Sequence, residues 1–126
     1  MPVRPRPMPR LSDAAVVSKA TLRAADILQI KDKQLARIIG VSPATVSRMR
    51  NSRHPLDKDQ KPFELAVLFI RLYRSLDAIA GGDDAVARAW IANRNTALDG
   101  APIELIQSVS GLTNAIQYLD ARRALV

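Results

Sequence analysis

Ser42, Ala44, Thr45, Ser47, Arg48, Arg50 and Asn51 fall within ten consecutive residues. Hydroxyls donate and accept hydrogen bonds, an amide side chain does both, and a guanidinium offers a planar fork of donors. That set suits base edges and phosphates in a DNA groove. Ala44 and the Thr45 methyl match a thymine methyl, and Arg48 matches the two acceptors of guanine. Thr45 and Ser47 fit phosphate or base. The backbone N–H groups after Ser42 fit a phosphate, because a helix start carries partial positive charge. Lys33, Arg50 and Arg53 are expected on phosphates, where they hold every sequence alike, and Asn51 closes the same stretch.

The elements that must position these groups are legible around them. Residues 32–52 read DKQLARIIGVSPATVSRMRNS. Leu35, Ala36, Ile38 and Ile39 give one apolar face at helical spacing. Gly40 suits the left-handed residue that ends a helix sharply. Ser42 is a good N-cap and Pro43 suits the first helical position. Val46 and Met49 form the inward face of the second helix. This is a helix-turn-helix, whose second helix enters the major groove. Leu35-Ala36, Gly40-Val41-Ser42, Thr45-Val46-Ser47-Arg48 and Asn51 resemble the Xre/Cro-type helix-turn-helix family.

The 126 residues carry a net charge of +7, unevenly placed. Residues 1–58 hold twelve Lys/Arg against four Asp/Glu, a net +8, while residues 59–126 hold seven against eight, a net −1. The basic half is an electrostatic footprint for double-stranded DNA. The near-neutral half better suits a protein partner. There is no cysteine and a single histidine, His54. No constellation remains for nucleophilic, acid–base or metal chemistry, so neither an enzyme nor a cofactor is expected. Nothing resembles a signal peptide or a membrane span, which makes the cytoplasm the expected location.

Residues 1–10 alternate proline with arginine and are expected to form a disordered arm, with Arg4, Arg6 and Arg10 in reach of DNA. Residues 11–60 are expected to form the DNA-binding domain. Its first helix starts at Ser12-Asp13 and runs to about residue 30. Residues 61–126 are expected to hold a central helix and a second domain for a protein partner or for dimerisation. Within it, residues 62–80 are apolar well beyond a single stripe. So short a chain is expected to surround that helix incompletely and to leave a surplus face for a dimer or another subunit. Gly81-Gly82 ends it. Asp83 and Asp84 suit the start of the next helix, and Trp90 is expected to anchor a small C-terminal core. Leu98 is expected to plug inward from a loop, Pro102 to start a short helix, and Ser110-Gly111 to break the chain. A last helix carries Leu112, Ala115, Ile116 and Leu119.

Ala89-Trp90-Ile91, Asn95 to Gly100, Pro102 to Ile106, Gly111 and the terminal helix resemble the toxin-binding domain of Xre/MbcA/ParS antitoxins. With the helix-turn-helix, the resemblance covers all but the arm. It implies an all-α fold: an Xre/Cro-like bundle joined by a long apolar helix to a small helical toxin-binding domain. It implies a type II antitoxin that masks the active site of a RES-domain, NAD⁺-depleting toxin and autoregulates its operon. Gln117, Tyr118, Arg122, Arg123 and Val126 are the candidates for masking, the arginines in a site built for a nucleotide's phosphates. DNA binding is expected from a homodimer. A stand-alone dimeric repressor is the alternative.

Overall fold

In a computed structural model the described residues, 12–51 and 54–125, form seven helices. Helix α1 spans Asp13–Ile27, with Ser12 accepting the N–H of Ala15 at its start. It ends three residues before the sequence-based expectation. Gln29 takes a left-handed conformation (φ 56°). The N–H of Ile30 then closes back on the Ala25 carbonyl at 2.9 Å and turns Ile30 into the core. Glycine is the usual residue at such a position, and its absence hid the stop.

Helix α2 spans Asp32–Ile39 and buries Leu35, Ala36, Ile38 and Ile39. Gly40 ends it at φ 73°. A side chain there would be strained and would also press on Leu65. Helix α3 spans Pro43–Asn51, and its Val46 and Met49 are buried as the spacing predicts.

Helix α4 spans Lys61–Ile79 and is central. It packs on α1 and α2 through one side and on the last helix, α7 (Val109–Arg123), through another. Phe69 and Leu72 are fully buried, and Leu76 nearly so. The chain therefore surrounds α4 more completely than its apolar width predicts. Only a narrow strip remains open, with Val67 43% exposed and Ile70 half-buried. One hydrophobic cluster runs from α1 to α7. Burying a large apolar side chain contributes about 1.5–3 kcal/mol. The largely exposed Arg71–Asp120 pair, which links α4 to α7, contributes about 0–1 kcal/mol. Burial on α4, rather than surface charge, thus holds the two halves together. Two polar links join them as well. Arg88 donates to the Ile27 carbonyl at 2.8 Å, and Arg37 donates to Gln107 at 3.5 Å.

Gly81 and Gly82 end α4 with φ of 63° and 79°. Asp83 caps α5 (Asp84–Ala92) by accepting the N–H groups of Ala85 and Val86. The paired aspartates are thus accounted for by a helix start. A tight loop follows, closed by paired backbone hydrogen bonds between Asn95 and Gly100. Leu98 from this loop packs half-buried on the core. Short helix α6 spans Pro102–Leu105.

Two expectations fail here. Trp90 does not anchor the C-terminal core. It packs half-buried against the edge of that core, and Ala87, Ile91, Ile106 and Leu112 fill the centre instead. Nor do Ser110 and Gly111 break the chain. They lie in the first turn of α7, which Ser108 caps by accepting the N–H of Gly111. Gly111 serves close approach: a Cβ there would sit 1.8 Å from the Leu105 carbonyl oxygen. Gly→Ala inside a helix ordinarily stabilises by about 1 kcal/mol. Gly111→Ala should do the opposite and destabilise by more than about 2 kcal/mol in urea unfolding. A neutral or stabilising result would show that α7 shifts freely against α6.

Candidate nucleic-acid interface and partner surface

The exposed face of α3 follows from its buried one. With Val46 and Met49 inward, Ala44, Ser47, Arg48 and Asn51 lie at helical spacing on the outside, and all four are exposed. Thr45, half-buried, sits at the edge of this face. A chain of polar contacts runs along it. Ser42 Oγ accepts the N–H of Thr45 at 3.1 Å and lies 3.1 Å from Thr45 Oγ1. Arg48 Nη2 donates to Thr45 Oγ1 at 3.0 Å, and Asn51 Nδ2 donates to Ser47 Oγ at 3.2 Å. The hydroxyls and forked donors are thus held in place before any ligand arrives. Lys33 is exposed on α2. Arg53 and the arginines of the arm lie outside the described residues.

The structure does not bring Arg50 to this face. Its guanidinium turns back toward α1 and α2. Nη1 and Nη2 donate to the two carboxylate oxygens of Asp26, at 3.1 and 2.7 Å. Nε donates to Asp32 at 2.9 Å. The two carboxylates, Asp26 first, hold the Arg50 proton more tightly than usual. The expected phosphate ligand is therefore a tie that joins α3 to the end of α1 and the start of α2. Sequence reading missed Asp26, since nothing local marks it as a partner for a residue twenty-four positions away. Arg50→Ala should cost about 1–2 kcal/mol in chemical denaturation, discounted for the partial exposure of the group. Unchanged stability would show that the pair is idle.

Four of the five residues assigned to the toxin lie on α7, and Val126 lies outside the described residues. Gln117, Arg122 and Arg123 are exposed, and Tyr118 is half-buried. The structure separates the two arginines, because successive helical residues point about 100° apart. Arg122 lies over the Tyr118 ring at 5.9 Å, and that ring stacks on Trp90 with centroids 6.4 Å apart. Arg123 instead lines a cleft on the α4 side, beside Arg71, Arg74 and Asp120. Asp120 accepts from Ser75 Oγ at 2.9 Å and pairs with Arg71 at 2.5 Å. Sequence reading named neither Trp90 nor Arg71 and Arg74 as site residues. The signal for the arginines was present: two cations three apart on an otherwise apolar helix.

The fold is all-α, a helix-turn-helix packed through α4 on a second helical region. A family model for the antitoxin Xre-like helix-turn-helix domain matches residues 8–71. Another, for the antitoxin Xre/MbcA/ParS C-terminal toxin-binding domain, matches residues 75–124. The chain belongs to the Xre/MbcA/ParS antitoxins: it joins a DNA-binding helix-turn-helix to a toxin-binding domain, so its partners are DNA and a toxin protein. Both domain types are typically non-enzymatic. No curated protein matches the sequence. Among the described residues no helix is long and apolar enough to cross a membrane.

The Ser75 hydroxyl, first, and then the Arg71 guanidinium hold the Asp120 carboxyl below its ordinary value of 3.8. A carboxylate depressed on folding stabilises above its unfolded pKa and loses that contribution as pH falls through its folded one. Stability should therefore decline below about pH 4 more steeply in the native chain than in Asp120→Asn. Parallel acid unfolding curves would contradict this.

Proposed function

We propose that the chain is the antitoxin of a type II pair whose toxin is a RES-domain, NAD⁺-depleting enzyme. It masks the toxin's active site through the C-terminal part of α7, and it autoregulates its operon through α3. It works in the cytoplasm as a homodimer with no reaction of its own. The observation that carries this reading is the pairing of the two matched domains on one chain, with exposed faces in both.

On DNA, Ala44, Ser47, Arg48 and Asn51 form the base-facing set, with Ser42 and Thr45 presenting hydroxyls and backbone N–H groups beside them. Lys33 and Arg53 supply phosphate contacts. Two copies read two half-sites about one helical turn apart. Counterion release makes this binding fall steeply with salt. On the toxin, Gln117, Tyr118, Arg122, Arg123 and Val126 supply the contacts. A guanidinium supported by a ring suits a pocket built for phosphates, because it keeps its charge and its planar fork on desolvation.

The test is co-expression of the tagged chain with the protein encoded next to it, followed by size-exclusion chromatography with mass determination. Co-elution with a RES-domain protein is the expected result. Elution alone as a dimer would replace this reading with a stand-alone repressor. On the DNA side, Arg48→Ala should relax operator preference by about 1–3 kcal/mol in competition binding. An unchanged preference would remove Arg48 from base readout.

A further inference from the structure

The narrow open strip of α4 is not a plain apolar face. Val67 and Ile70 lie along it, with Arg71 and Arg74 from the same helix and Arg123 and Asp120 from α7. Together they line an open cleft of about 370 Å³. Its charge is out of balance. Asp120 is committed to Arg71 and to the Ser75 hydroxyl. Arg74 and Arg123 are exposed and form no ion pair among the described residues. The cleft thus sets three guanidinium groups beside aliphatic side chains against the single carboxylate of Asp120, which hydrogen-bonds Arg71 and is shared electrostatically with Arg123.

This balance decides between two occupants. A second copy of the chain, docked through a two-fold axis, would set this patch against itself. Six arginines would then face two aspartates, a large like-charge cost in a desolvating contact. The surplus α4 face is therefore poorly suited to self-pairing. A segment rich in carboxylates is the complementary occupant. Guanidinium forks take carboxylates bidentately, and arginine beside aliphatic surface is a common composition at protein interfaces. A nucleic-acid backbone would satisfy the arginines and leave the aliphatic strip unused.

We propose that the α4/α7 cleft receives an acidic segment of the toxin, its carboxylates held by Arg74 and Arg123 and its apolar side chains laid on Val67 and Ile70. The proposal rests on the toxin-binding reading above. It adds a contact surface separate from the Trp90–Tyr118–Arg122 stack, and it assigns Arg123 to this surface rather than to the toxin's active site. Arg71 and Asp120 position the cleft without needing to touch the toxin.

The test measures the affinity of the full chain for its co-encoded toxin by calorimetry, at low and high salt. It compares the native chain with Arg74→Glu/Arg123→Glu. The double reversal should weaken toxin binding by at least about tenfold at low salt, with the gap closing as salt rises. Operator binding should stay unchanged. Should the reversal fail to fold by circular dichroism, Arg74→Gln/Arg123→Gln takes its place, with the same expected direction. Equal affinity of variant and native chain would overturn the cleft proposal and leave the antitoxin reading standing. So would loss of a homodimer, or of operator binding, with toxin affinity intact. Failure of the native chain to bind the toxin at all would overturn both.

Discussion

Burial of α4 is the constraint on which the rest of the structure depends. Its inward residues, Leu65, Ala66, Phe69, Leu72, Ser75 and Leu76, are shared between the helix-turn-helix on one side and α7 on the other. The two family matches meet on this helix, one ending at residue 71 and the next beginning at residue 75. The boundary between the domains is therefore not a linker. Neither half can detach without opening the same core, at about 1.5–3 kcal/mol for each large side chain exposed. An antitoxin built this way carries its DNA-binding and toxin-binding domains on one packed body.

Charge is arranged more finely than the totals indicate. The basic half is positive by composition, yet Arg50 is spent inside it on Asp26 and Asp32. That tie sets the recognition helix against its neighbours and leaves Arg48 on the outside. In the C-terminal half the sum is near neutral, yet one cleft gathers Arg71, Arg74 and Arg123 around a single aspartate. Net charge located the DNA-binding half correctly and concealed the second basic surface, because Asp83, Asp84 and Glu104 cancel it in the count while lying on other elements.

What could be read from sequence was what local chemistry dictates. Ser12, Ser42 and Asp83 as caps, Gly40 as a stop, Pro43 and Pro102 at helix starts, and the inward faces of α2, α3 and α7 all follow from groups within one turn of each other. What could not be read depends on neighbours distant in sequence. Gly111 looked like a break because its reason is the Leu105 carbonyl pressing on it from α6. Gln29 gave no sign of a turn, since a left-handed non-glycine has no signature. Size alone points Trp90 inward, but its ring stacks on Tyr118 at the edge of the core. Arg50 looked like a DNA ligand because its two carboxylate partners come from other helices. The exposed face of α3 was legible; which of its cations belong to the frame was not.

The measurement that tests the central claim most directly is native-state hydrogen exchange, resolved by residue. If one core holds both binding surfaces, the inner amides of α1, α4 and α7 should share one slow class and open together at the global unfolding free energy. Early exchange of α5 and α7, with α1 to α4 still protected, would show two separately stable halves and contradict the account.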